Sequence, residues 1–435
     1  MNHLELVEIL PTGQKVLFRY RFKDEIFIAA LTFSSAVSQT DPRVAKLLQY
    51  AGLVSCYHLF DLAYFDEIRV PFSLTEAEVH FFEKLYFNGL AEFRLRNKVD
   101  IVRATHVVPS AIAPAPIATP LVPPQNIRPL LLNGGGKDGA VGAEMLTSLG
   151  IDFEWFTYQP LPARQRIIQA SGNSAATWVK KTNNPEAKSF HTYHGHKPLS
   201  GQLAIYAMLA AVLEGRNSVI AANEFSANFD NLIHDGVVVN HQYTKSFAFE
   251  QDVHALFRQH VDPELYYFSI GRPFYDLQII DMFTEFPKYH AAFLSCNRSI
   301  RDDAWCLDCP KCAFVILGVS ATAPEVAKTI WGTQNPLSSP KLFTQLLDLI
   351  NETPKPFDCV GTKDEAKLAL LQLSRGVLND IFSTAQKTAL APYLTDLDYT
   401  ALRNEIYTLE GRAHLISPEL WETLSALPWV QKVAR

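Results

Sequence analysis

The stretch PLLLNGGGKDGAVGAEMLTSLG, residues 129–150, decides how the chain is read. An apolar run, a glycine turn and a helix-like segment follow one another, which is the strand–loop–helix corner of an α/β sheet. Such a corner is an anion site. Glycines at 134, 135, 136 and 139 let backbone N–H groups approach phosphate oxygens, and the helix N-terminus adds partial positive charge. Lys137 would add a full charge, and Asp138 would hold a magnesium ion on a pyrophosphate. The spacing matches neither GxxxxGK[ST] nor GxGxxG, so the usual P-loop and dinucleotide fingerprints are absent.

Outward from this corner, short apolar runs at Arg128–Leu132, Ile151–Thr157, Ser218–Ala222 and Leu265–Ile270 alternate with helix-like stretches at about 137–149, 198–215, 246–260 and 274–295. That alternation predicts an α/β domain over 130–320, a parallel sheet with helices on both faces. Upstream, 15–33 reads as a hairpin, and 42–56 and 73–92 read as helices. Together they predict a small α+β N-terminal domain over 1–105. Prolines crowd the stretch between, so 106–129 is expected to be a stiff linker. From 321 to 435 the pattern is helical, with a capping box at Thr362 and Glu365.

Composition narrows the function classes. The 435 residues are 48% hydrophobic and 19% charged, which suits a packed globule with a large core. Net charge is −6, from 39 basic and 45 acidic residues, so no basic excess favours nucleic acid. The longest apolar run, Leu203–Leu213, is too short to span a bilayer, and the first residues lack a signal-peptide pattern. No membrane association and a cytoplasmic location are expected. Four of the six cysteines crowd together as Cys296, Cys306, Cys309 and Cys312. Their spacing suits a closed, structural zinc site, with a reactive thiol centre or an iron–sulfur cluster as rivals. Cys56 and Cys359 stand alone and read as small core residues. Polar residues of catalytic type fall in the loops expected after strands: His191, His194, His196, Asn223, Glu224, His241, Tyr243, Lys245, Arg272, Tyr275 and Asp276. Of these, His196, Glu224, His241 and Lys245 are the candidates for acid–base work.

Besides GGGKDG, the segments GHKPLSG (195–201), AANEFSAN (221–228), VNHQYTKSFAFEQD (239–252), SIGRPFYDLQI (269–279), CNRSIRDDAWCLDCPKCAFV (296–315) and PFDCVGT (356–362) occur in order. The loop resembles the SGGxDS loop of N-type ATP pyrophosphatases, with Gly134 and Gly139 where that motif has serines. The whole series resembles the ATP-dependent UDP-N-acetylmuramoyl-L-alanyl-L-glutamate epimerase family. The resemblance implies inversion of the terminal L-Glu of UDP-MurNAc-L-Ala-L-Glu to D-Glu in peptidoglycan precursor synthesis. ATP and Mg²⁺ would be used and AMP and pyrophosphate released, with a pathway link to the ligase that adds L-Glu. Lys137, Asp138, His196, Glu224, His241 and Lys245 would act in catalysis, and Arg272 and Arg298 would hold substrate anions. Two alternatives stay open: an amidating or thiolating enzyme of 7-cyano-7-deazaguanine synthase or tRNA-thiolase type, and a non-catalytic nucleotide-binding protein.

Overall fold

The computed structural model describes residues 1–116, 126–183, 192–351, 354–395 and 397–434. Among the described residues twelve strands are formed: β1 (His3–Thr12), β2 (Lys15–Phe22), β3 (Glu25–Phe33), β4 (Glu67–Arg69), β5 (His106–Val108), β6 (Pro129–Asn133), β7 (Glu154–Tyr158), β8 (Ala176–Asn183), β9 (Ser218–Ala221), β10 (Leu232–His234), β11 (Val237–Val239) and β12 (Tyr266–Ser269). The helices that frame the site are α1 (Pro42–Ser55), α2 (Glu76–Gly89), α3 (Ala91–Arg96), α4 (Lys137–Ser148), α5 (Pro162–Ser171), α6 (Leu199–Leu213), α7 (Phe247–His260), α8 (Asp276–Thr284) and α9 (Pro310–Thr322).

Ten strands form one sheet in the order β12-β9-β6-β7-β8-β3-β2-β1-β4-β5, and β10 and β11 pair as a separate ribbon. The five strands from β12 to β8 are parallel, as the sequence pattern predicts. The sheet as a whole is mixed, which corrects the expectation of a parallel one. The predicted hairpin β2–β3 gains β1 as a third strand, and β3 pairs antiparallel with β8 through Ala29–Phe33. The parallel half therefore continues into the N-terminal strands. Backbone pairing of two strands 150 residues apart leaves no local mark on the sequence.

Side chains alternate across the sheet into two cores. Leu130, Phe156, Val219 and Tyr267 join α1, α6 and α7 on one face, while Leu131, Trp155, Ile220 and Phe268 join α4, α8 and α9 on the other. This is the period of two expected of strands covered on both sides. The apolar run in α6 is buried all round, which a helix sandwiched between α1 and the sheet requires. Among the described residues no helix is long and apolar enough to cross a membrane.

The helix expected over 274–295 ends at Thr284, because Pro287 cannot continue it, and a single 3₁₀ turn follows at Pro287–Tyr289. The capping box at Thr362 and Glu365 forms as read and starts a helix over Lys363–Ser374 in the helical C-terminal region. In the proline-rich stretch, the amides of Ser110 and Ala113 donate to the carbonyls of Phe72 and Leu74. Its central part, residues 117–125, lies outside the described residues, as does His191.

From β6 the chain winds outward to β7 and β8, then returns to the other side of β6 with β9 and β12. The strand order reverses between β6 and β9. In an open α/β sheet that reversal leaves a crevice at the strands' C-terminal ends, where the glycine loop after β6 and Asn223-Glu224 after β9 lie.

Candidate active site

A cleft of about 860 Å³ opens at that reversal. Gly134, Gly136, Asp138 and Gly139 line its floor. The loop is tightly held: the amide of Gly135 donates to Asn133 Oδ1 at 2.9 Å, and Leu294 N donates to Gly135 O at 2.8 Å. A Cβ on Gly136 would sit 2.7 Å from Ser295 Oγ, so glycine is what lets the loop and the 294–296 segment meet. Ser295 Oγ accepts from the Lys137 amide, so a hydroxyl from another segment stands beside a loop that has none of its own at 134 and 139.

Lys137 differs from its expected role. Its side chain is 1% exposed and its ammonium is paired with both Asp138 and Asp276. The charge is therefore engaged in balancing two buried carboxylates. Burial alone would raise the Asp138 carboxyl, but Lys137, Lys311 and Lys245 override it and hold it down to about 2. Burial dominates at Asp276, which is raised. Glu224 is also buried, and Lys245 beside it outweighs desolvation and keeps it ionised. Its Oε2 finds no partner among the described residues.

Arg272, expected to meet a substrate anion, is fully buried. Its Nε donates to Glu250 at 2.8 Å, Nη1 to the Glu224 carbonyl at 2.6 Å and Nη2 to the Lys245 carbonyl at 2.5 Å. It is a structural arginine that ties the loops after β9 and β11 to α7, which corrects the sequence reading. Arg298 lines the cleft with an exposed side chain and donates to the Asp308 carbonyl at 2.5 Å. Arg164, at the start of α5 and packed on Gly135, also lines the cleft, and its Nε has no partner among the described residues.

His196, His241 and Lys245 all line the cleft. The two imidazoles lie 4.0 Å apart, and His241 Nδ1 donates to Glu92 of α3 at 2.5 Å. Burial would lower His241, but the Cys359 sulfur and Glu92 hold it up to about 9. Burial, with the positive His241 next to it, pushes His196 down to about 3. Donor atoms of Glu92, His196 and His241 fall within 4.8 Å of one another. With His241 protonated, the grouping is an ion pair beside a neutral imidazole. Lys245 is held protonated against burial by Cys359, Glu224 and Asp138.

Cys296, Cys306, Cys309 and Cys312 place their four sulfurs within 4.8 Å of one another, with Cys306 and Cys312 at 3.7 Å. Zn–S bonds of ~2.3 Å in a tetrahedron set sulfurs about 3.8 Å apart, so the donor set fits a thiophilic ion. Cys309 caps α9, and its sulfur accepts from the Cys312 amide.

Residues 4–270 match the MurL N-terminal domain and residues 292–385 match the MurL C-terminal domain. The chain belongs to the MurL family. It is similar to proteins named UDP-N-acetyl-alpha-D-muramoyl-L-alanyl-L-glutamate epimerase. The one from Salinispora tropica is 29% identical over 378 residues, 83% of this chain and 82% of the relative. The one from Micromonospora sp. is 30% identical over 358 residues, 78% and 77% of the two chains. That from Xanthomonas oryzae pv. oryzae is 28% identical over 403 residues, 88% and 86%. No solved structure matches the chain.

In this MurL chain the cleft also contains groups that the sequence reading passed over. Glu92 comes from the N-terminal helices and Ser295 from the segment before the cysteine cluster. Cys359, read as a core residue, is only partly buried and lines the cleft. Its place within PFDCVGT, one of the segments that carry the family resemblance, was the available signal.

Proposed function

We propose that this MurL chain inverts the α-carbon of the terminal glutamate in UDP-MurNAc-L-Ala-L-Glu, after ATP has adenylated its carboxylate. The observation that carries the reading is one cleft lined both by the glycine loop with Asp138 and by His196, His241 and Lys245. The loop is of N-type ATP pyrophosphatase kind. Its amides, with Arg164, hold ATP phosphates, and Arg298 at the rim meets an anionic part of the substrate. Asp138 and the unpaired Glu224 oxygen fit a hard cation, and Mg²⁺ there would neutralise charge on the departing pyrophosphate.

Adenylation is what makes the proton removable. Next to a free carboxylate a carbanion would add negative charge beside an existing anion. The mixed anhydride is uncharged at that carbonyl and withdraws electrons, so a base of ordinary strength suffices. Lys245 and protonated His241 are cations that stabilise the enolate oxygen electrostatically, and water then cleaves the anhydride to AMP. The reaction sits in peptidoglycan precursor synthesis in the cytoplasm, downstream of a ligase that adds L-Glu.

Purified protein incubated with UDP-MurNAc-L-Ala-L-Glu, ATP and Mg²⁺ is expected to yield D-Glu on hydrolysis, with AMP and pyrophosphate. ADP as the product, or glutamate that stays L, would sink the reading. The four cysteines are proposed to hold one structural zinc. Elemental analysis should find one per chain, and Cys309→Ser should lose it at a cost on the order of 4 kcal/mol in stability. Metal-free protein with an unchanged melting temperature would count against this.

A further inference from the structure

The mechanism above leaves unassigned a thiol that faces the reacting groups. Cys359 sits in the 355–361 segment, which is clamped from several sides. Asn231 Nδ2 donates to the Lys355 and Pro356 carbonyls at 3.0 and 2.8 Å, Gln242 Nε2 donates to the Val360 carbonyl at 3.0 Å, and Asn297 Nδ2 donates to Asp358. A bare loop in a core-filling role needs no such fixing. His241 lines the same cleft with its Nδ1 tied to Glu92, and its charge and that of the sulfur favour one another. An imidazolium held in place by a carboxylate favours the thiolate over the thiol, and the thiolate is the form that can take a proton.

A second, independent observation points to a ligand there. Gln242 is 2% exposed and lines the cleft, and its Oε1 finds no partner among the described residues. A buried amide oxygen left unpaired costs about 1–3 kcal/mol, so it is expected to accept from something that enters. The same side chain is anchored to Val360, next to Cys359. On the substrate of the proposed reaction the suitable donor is the peptide N–H of the glutamate, one bond from the α-carbon.

We propose that Cys359 is the base that removes the glutamate α-proton, with His241 and Glu92 as its positioning residues and the Lys245 ammonium as the acid that returns a proton to the opposite face. This rests on the epimerase reading. In the first step the Cα–H bond breaks and an S–H bond forms, while the C–H electron pair moves into the acyl carbonyl to give an enolate. In the second, an N–H bond of Lys245 breaks and a new Cα–H bond forms on the other face, leaving a thiol and a neutral amine. Transfer of the thiol proton to that amine restores the starting charges. The electrostatics suit the role: burial would raise the thiol, but Lys245, His241 and Lys311 bring it down to about 7, and Lys355 also faces it. A base that titrates near the working pH serves proton transfer best.

The test measures, in heavy water, deuterium placed on the glutamate α-carbon per AMP released. In Cys359→Ser this ratio is expected to fall on the order of 10²–10⁴-fold, the usual contribution of a positioned acid or base. As a check that does not depend on folding of the variant, wild type blocked at Cys359 with a methylthio group should lose exchange and regain it on treatment with dithiothreitol, with mass spectrometry locating the group. A wild-type ratio in Cys359→Ser, or exchange that survives the block, overturns the assignment. Equal loss of AMP and deuterium also overturns it, because the residue then serves binding. If the wild type itself makes neither AMP nor D-Glu, the epimerase reading has failed and this inference with it; D-Glu from both proteins removes only the inference.

Discussion

Asp138→Asn is expected to lower AMP and pyrophosphate formation by at least about 10²-fold, since a cation on the transferring phosphates contributes several kcal/mol and each 1.4 kcal/mol is tenfold. Asparagine has nearly the shape of aspartate, and it can still accept from the Lys137 ammonium. What it lacks is the charge. In the wild type that charge is present at every pH of interest, because the surrounding lysines hold the carboxyl down to about 2. The fold should tolerate the change, as Lys137 keeps Asp276 as a counter-ion. The stability contributed by the lowered carboxyl is present above its unfolded value and lost as pH falls towards about 2, so a neutral-pH melting curve gives the comparison needed. Pyrophosphate release should be followed over a Mg²⁺ series. A variant that turns over within about threefold of wild type, with the same Mg²⁺ dependence, would show that Asp138 neither holds the ion nor faces the phosphates.

The glycine corner and the alternation of strand and helix from 129 to 269 are legible because both are local: period, turn residues and helix entry lie within a dozen residues. The direction of a side chain is not local. Lys137 reads as a phosphate ligand until Asp276, 139 residues on, is seen beneath it. Arg272 reads as an anion receptor until Glu250 and two loop carbonyls occupy its donors. The same limit hides the acid–base groups. Glu92 meets His241 across 149 residues, and Gln242 meets Val360 across 118. The cleft draws on the N-terminal helices, the parallel strands' loops and the C-terminal region at once. A reading that divides the chain at 105 and 320 separates the partners that make it. Of the residues in the segments quoted for the resemblance, His196, His241, Lys245 and Cys359 line the cleft, while Glu224, Arg272 and Asp276 are buried and do not. Chemical capacity was visible there, but pairing was not.

Arg272→Ala should be the most destabilising single change near the site, costing roughly 3–5 kcal/mol, the range for stranding one member of a buried ion pair. Glu250 is 1% exposed, and its other oxygen accepts from the Ser269 amide at 3.0 Å, so it cannot turn to water when the guanidinium is gone. Burial already raises its carboxyl against the pull of Arg272. Without Arg272 the folded-state value rises further. A carboxyl raised on folding favours the native state at pH below its unfolded value and loses that advantage as pH rises through the folded one. The deficit of Arg272→Ala relative to wild type should therefore be larger at pH 8 than at pH 5. Pairing it with Glu250→Gln should recover part of the loss, because no charge is then stranded. Activity should not recover with stability. Arg272 also holds the carbonyls of Glu224 and Lys245, and the double variant leaves both loops untied. Melting curves at the two pH values, with AMP release measured well below the transition, separate these effects. A single variant that melts with wild type at pH 8 would show that the buried pair contributes nothing. A double variant with full activity would show that the two carbonyl contacts do not position the cleft.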